Sequence, residues 1–172
     1  MLDYQTRSFL ERNLVAAMEL ADQSDILELK PFAGDPVRKY IARFHARGLV
    51  RDPVTGEIGE APFCDVGIWF PDDYLQRCTP FEVLTWLCPP HAWHPQIRAP
   101  FICPGRLGEG TQLVDILYQC YDIWTYQKVN WGDALNHEAA AWGRRCLDRL
   151  PVDKRPLKRR RVAVNVRAAE AS

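Results

Sequence analysis

Six cysteines lie at positions 64, 78, 88, 103, 120 and 146, and no two of them form a Cys-x-x-Cys pair. The first residues mix Asp3, Arg7, Glu11 and Arg12 with apolar ones, unlike a signal peptide. Scattered thiols in such a chain are expected to be reduced, in a cytoplasm, and each must be judged by its setting. Cys120 and Cys146 fall on apolar stripes at helical spacing and Cys64 lies in a strand, settings in which free cysteine acts as a small hydrophobe. Cys88 ends a strand; Cys78, in a loop, is the main rival thiol. Cys103 sits among Pro100, Pro104, Gly105 and Arg106, the least regular and most exposed surroundings of the six. A nucleophilic thiol there can be reached in turn by two macromolecules, as a thioester carrier requires. The run Cys88-x-x-His91-x-x-His94, with Cys103 as a fourth member, also has the side chains that bind zinc. Its spacing is not that of a common finger and Pro89-Pro90 stiffens it, so the leading expectation is no metal and no cofactor.

Around this loop the sequence predicts an ordered series of elements. Leu10, Leu14, Ala17, Met18 and Ala21 recur every three or four residues and predict a helix over 4–22. Leu27 and Leu29, then Tyr40, Ala42 and Phe44, then Val66, Ile68 and Phe70 alternate with other residues and predict three strands. Pro53-Val-Thr-Gly-Glu reads as a turn before the third, and Phe81–Leu87 as a fourth strand. The stretch 93–110, rich in Pro and Gly, reads as a long functional loop. Leu113, Ile116, Leu117, Cys120, Tyr121 and Trp124 mark a strong helix. A last helix follows Gly132-Asp133, with Asp133 a candidate N-cap and Leu135, Ala139, Trp142, Cys146 and Leu150 facing inward. The expected class is α+β, a helix and a four-stranded antiparallel meander followed by the loop and C-terminal helices.

At 172 residues the chain fits one domain. With 47% hydrophobic and 26% charged residues it reads as an ordinary globular protein, and no apolar run is long enough to span a membrane. Residues 151–172 hold seven Lys/Arg against Asp153 and Glu170, which leaves an excess of five acids on 1–150. The expected organisation is therefore a domain over 1–150 and a basic, flexible tail over 151–172. Membrane and nucleic acid are not expected as partners.

Two segments together resemble the ubiquitin-conjugating enzymes. His94-Pro95-Gln96-Ile97 followed by Ile102-Cys103 is similar to the family's His-Pro-Asn-Ile and Gly-x-Ile-Cys. Asp133-Ala134-Leu135-Asn136-His137-Glu138-Ala139-Ala140 is similar to its Asp-Pro-Leu-Asn-x-Glu-Ala-Ala. The order of elements matches as well, over roughly residues 4–150, and the divergence from the eukaryotic pattern is similar to prokaryotic relatives, some of which belong to antiphage defence operons. Three departures stand out: Gln96 in place of Asn, Pro104 after the cysteine, and a short following loop without Trp-Ser-Pro.

The resemblance implies a conjugating fold and a transferase. A ubiquitin-like modifier would pass from an activating enzyme to Cys103 as a thioester and then to a target amine. It implies that Gln96 stabilises the oxyanion, that Asp133 places and deprotonates the acceptor lysine, and that His94 and Pro95 are structural. The residues themselves leave Gln96 free to pin the loop backbone instead. Two other functions stay open: an inactive variant binding a ubiquitin-like protein or partner enzyme, and a zinc-binding interaction domain.

Overall fold

A computed structural model describes residues 1–158. Helix α1 runs Tyr4–Asp22; Asp3 caps it, its Oδ1 accepting from the Thr6 N–H at 2.9 Å. Leu10, Ala17 and Leu20 are buried along one face, with Asn13 among them. Asn13 is polar there for a reason visible across the interface. Its Oδ1 accepts the Leu113 N–H at 2.7 Å and its Nδ2 donates to the Phe9 carbonyl at 2.9 Å. The first free N–H of the helix that carries the back wall of the site is thus capped by another helix, which fixes how the two dock.

The main sheet is antiparallel, in the order β1 (Leu27–Pro31), β2 (Lys39–Phe44), β5 (Cys64–Trp69), β6 (Leu84–Cys88). Period-two alternation puts Leu27, Leu29, Tyr40, Ala42, Phe44, Cys64, Val66, Ile68, Leu84 and Trp86 on the buried face. On the other face Arg43 and Asp65 stand directly opposite and form a two-pronged ion pair, both contacts at 2.8 Å. The fold is therefore α+β with an N-terminal helix and a four-stranded antiparallel sheet, as the alternation predicts.

Several elements depart from the sequence reading. The turn at 53–57 does not lead straight into the third main strand; it closes a separate hairpin of β3 (Gly48–Arg51) and β4 (Ile58–Ala61). Gly48 is required at its start, because a Cβ there would lie 2.3 Å from the Trp124 ring. Phe81 is not in a strand. Pro80–Val83 form a short helix, α2, since proline suits the first helical position, and the strand starts only at Leu84.

Helix α3 (Leu113–Trp124) buries Leu113, Ile116, Leu117, Cys120, Tyr121 and Trp124, the stripe read from the sequence. Helix α4 is His137–Arg145, with Asn136 and not Asp133 as N-cap, its Oδ1 accepting from the Ala139 N–H at 3.0 Å. Cys146 and Leu150 lie beyond it, and Ala139, Ala140 and Gly143 are its buried residues.

The boundary expected at residue 150 is too early. Leu157 is buried in the core and its carbonyl accepts the Ser24 hydroxyl. Val152 N–H bonds to the Thr125 carbonyl at 2.9 Å. The Asp153 carboxylate, also buried, accepts from the Arg47 N–H at 3.0 Å and from the Arg155 guanidinium at 2.8 Å. Burial pushes this carboxyl up, but those bonds and the Arg155 charge outweigh it and hold it far below the usual range. Residues 151–158 thus belong to the folded body; the rest of the expected tail, 159–172, lies outside the described residues. Among the described residues no helix is long and apolar enough to cross a membrane.

Candidate active site

The loop after β6 is built in layers. His94 is almost wholly buried, and its Nδ1 accepts the Gln96 N–H at 3.0 Å while its ring packs 4.3 Å from that of Tyr126. Burial pushes its pKa down to about 3, so the imidazole is neutral. The following Pro95 carbonyl accepts the Leu135 and Asn136 N–H groups, at 2.8 and 3.0 Å. His94 and Pro95 therefore serve as structure: one shapes the turn, the other ties it to the approach to α4.

Gln96 completes the tie. Its Nε2 donates to the Asn130 carbonyl at 2.6 Å and to the Asp133 carbonyl at 3.0 Å, and its Oε1 accepts the Asn130 N–H at 3.1 Å. Both amide hydrogens are spent on backbone carbonyls, so in this arrangement the side chain pins the 130–133 segment. It has no donor left for an oxyanion.

A small hairpin follows, β7 (Ile97–Arg98) with β8 (Phe101–Ile102). Its next rung is the Cys103 N–H donating to the Gln96 carbonyl at 2.9 Å. Ile97 and Ile102 point into the core, and Cys103 emerges half-buried. Gly105 then turns the chain with φ +87, a left-handed conformation that glycine adopts without strain.

Cys103, Gln96 and Asp133 line one cavity of about 250 Å³, together with Lys128, Asn130 and Arg106. Asp133 is exposed, and its carboxylate holds no hydrogen bond or ion pair among the described residues. The N-cap role that Asp offers from the sequence is filled by Asn136, three residues on. The three residues singled out from the sequence thus meet at one place, although they come from two segments some 30 residues apart.

Three of the rival thiols are set apart by their surroundings. Burial pushes the Cys64 thiol well up and that of Cys120 up to about 12. Burial, aided by the charges of Glu109 and Glu82, also raises Cys78. A raised pKa makes each of the three a poorer source of the nucleophilic thiolate. Cys88 ends β6, and Cys146 closes α4.

The zinc alternative finds no geometry. Among the described residues no three His, Cys, Asp or Glu side chains are placed to hold a metal ion, and His94 Nδ1 already accepts from Gln96.

A larger cavity of about 620 Å³ is lined by Arg51, Asp52, Thr55, His91, Arg98 and other residues, none of them a thiol. Of its charged residues, Arg51 is paired with Glu138, which lies outside the lining, at 2.6 Å. It shares no residue with the Cys103 cavity.

Lys128 and Asn130 were not singled out from the sequence. One signal was present: Lys128 is the only lysine between Lys39 and Lys154. No protein-family model matches the chain, and a search of curated proteins finds no match.

Proposed function

We propose that this protein is a conjugating enzyme of a ubiquitin-like pathway, a divergent relative of the ubiquitin-conjugating family with Cys103 as its thioester carrier. One observation carries the reading. The Gln96 carbonyl accepts the Cys103 N–H while the Gln96 side chain bonds to Asn130 and Asp133, so both resembling segments converge on a single small cavity. At about 250 Å³ the cavity falls short of the usual ~300–1,000 Å³ of a pocket that encloses a small substrate. It suits the narrow end of a chain delivered from outside. The order of elements, a helix, a four-stranded antiparallel sheet, the cysteine loop and two helices, agrees with the same family.

In the proposed reaction Cys103 Sγ takes the modifier's C-terminal carbonyl from the activating enzyme by thioester exchange. The acceptor nitrogen then attacks that carbonyl, the C–S bond breaks, and the thiolate of Cys103 leaves. Asp133, exposed at the cavity, attracts the acceptor ammonium and takes its proton on the way to solvent. Gln96 is a positioning residue that holds the thiol loop against the segment carrying Asp133. The partners are the modifier, the activating enzyme and the target amine.

The test is loading in the presence of activating enzyme, modifier and ATP. The wild-type protein should form an adduct that dithiothreitol removes; Cys103→Ala should form none, and Cys78→Ala and Cys88→Ala should behave as wild type. Cys103→Ser should give an ester that resists dithiothreitol and yields to hydroxide. An adduct that survives in Cys103→Ala would refute the assignment. A wild-type thioester that discharges to no amine would favour the non-catalytic binding module.

A further inference from the structure

We infer that Lys128 supplies the positive charge that stabilises the oxyanion formed when an amine attacks the Cys103 thioester, an inference that rests on the reading of Cys103 as a carrier. The question arises because both Gln96 amide hydrogens already bond to the carbonyls of Asn130 and Asp133. The donor must come from elsewhere in the cavity.

Lys128 is half-buried on its wall. Its Nζ donates to the carbonyl of Pro104, the residue next to Cys103, at 3.1 Å, and lies 3.7 Å from where a Cβ on Gly105 would stand. An ammonium has three N–H groups, so two remain for a ligand. Hydrogen bonds on both sides of the reversal set its backbone. After α3 the chain reverses through Tyr126, a non-glycine residue at φ 62, whose hydroxyl donates to the Trp93 carbonyl. The Lys128 N–H then bonds back to the Asp122 carbonyl at 3.0 Å.

The neighbouring candidates are weaker. Arg106 also lines the cavity, but it is exposed and its guanidinium holds no bond among the described residues. Asn130 offers a side-chain Nδ2, exposed and neutral. A charged donor out of bulk water is worth more than a neutral one in it.

In the step itself the acceptor nitrogen's lone pair bonds to the carbonyl carbon and the π pair moves to oxygen. Lys128 Nζ donates to that oxyanion. On collapse the oxygen's pair re-forms the carbonyl, the C–S pair leaves with Cys103 Sγ as thiolate, and the nitrogen's proton passes to solvent by way of Asp133. No electron acceptor is needed.

The experiment loads Cys103 chemically, with the 2-sulfanylethanesulfonate thioester of acetyl-glycyl-glycine, so no activating enzyme enters. Intact-mass spectrometry follows acylation, and then discharge to free lysine. Wild type should be acylated at Cys103 and Cys103→Ala should not. Lys128→Met should be acylated, melt as wild type does, and discharge about 10²-fold more slowly, the usual loss for one oxyanion donor. Lys128→Arg should keep most of the rate. Discharge at the wild-type rate in Lys128→Met overturns the inference and leaves the carrier reading standing. Equal slowing in Lys128→Met and Lys128→Arg, or slowing in Asn130→Ser instead, overturns it too. So does an acyl group that moves onto Lys128 and resists thiol. A wild-type Cys103 that takes no acyl group removes the carrier reading itself.

Discussion

Replacing Gln96 by alanine separates a residue that holds the site from one that performs its chemistry. Three hydrogen bonds go at once, to the Asn130 carbonyl, the Asp133 carbonyl and the Asn130 N–H. Each is worth about 1 kcal/mol net. Asn130 and Asp133 are exposed, so their backbone groups regain some water, which trims the loss. The space left by a side chain only 4% exposed adds to it. The two corrections oppose each other and leave a cost of about 3 kcal/mol. In a chain of this size that is a fall in Tm of about 6–12 °C. Thermal melting followed by circular dichroism measures it, and amide hydrogen exchange locates it. The Asn130 N–H should exchange much faster while that of Leu117, inside α3, changes only with global stability. Gln96→Glu keeps an acceptor for the Asn130 N–H but sets a carboxylate oxygen against two carbonyls, and should cost at least as much. A Gln96→Ala protein that melts with wild type, protects Asn130 as before and yet discharges its thioester slowly would refute the positioning role and return Gln96 to the chemistry.

Removing residues 151–172 should lower stability by about 4 kcal/mol or more, since Leu157 and the Asp153 network leave the core, and Leu157→Ala alone by about 3 kcal/mol, both read from urea melts. His94 is neutral in the fold down to about pH 3, whereas the unfolded chain protonates it below about 6.5. Its stabilisation is complete above the unfolded value and falls as pH drops, by about 1.4 kcal/mol per unit between pH 6 and 4.5. His94→Asn, whose Oδ1 can accept the Gln96 N–H in place of Nδ1, should flatten that slope; an unchanged slope would place its origin elsewhere. Asp133→Asn should leave Tm unchanged, because Asn136 caps α4, while slowing thioester discharge to lysine; unchanged discharge would remove Asp133 from the mechanism.

What the sequence disclosed, and what it hid, follows from how far apart the determining residues are. The buried sides of β1, β2 and β5 and the stripe on α3 are local periodicities, and they hold; on α1 Leu10 and Ala17 are buried, while Leu14, Met18 and Ala21 only pack half-buried at the edge of the face. The β3–β4 hairpin is masked because Leu49 and Val50 are adjacent apolar residues and Gly59-Glu60 breaks alternation in its partner. The short α2 is masked because the apolar run from Phe81 to Leu87 reads as one strand, and only Pro80 at the first helical position sets its start apart. The tail misled for a different reason. Its charge dominates the composition, while two contacts that seat its first residues, Leu157 with Ser24 and Asp153 with Arg47, join residues more than a hundred positions apart. At the site, the setting of Cys103 nominated the thiol, and the resemblance added Gln96 and Asp133. That Asn136 caps α4, and that Lys128 reaches the turn beside Cys103, are matters of where the chain reverses after α3, set by a left-handed Tyr126 that no periodicity announces.

The rung that joins the Cys103 N–H to the Gln96 carbonyl has a consequence for how the chain tolerates insertions and deletions. Ile97 faces Ile102 and Arg98 faces Phe101, so the distance along the chain from Gln96 to Cys103 is fixed by pairing rather than by a count inherited from other proteins. Strand side chains alternate between faces, so a single residue added between 98 and 101 and absorbed by slipping the pairing would turn the sulfur toward the core position held by Ile102. Residues added in pairs at the tip, around Ala99-Pro100, would lengthen the ladder or its turn and return Cys103 to the cavity. Length variation in this loop among relatives should therefore come in twos, and an engineered one-residue insertion should silence the thiol while a two-residue insertion spares it.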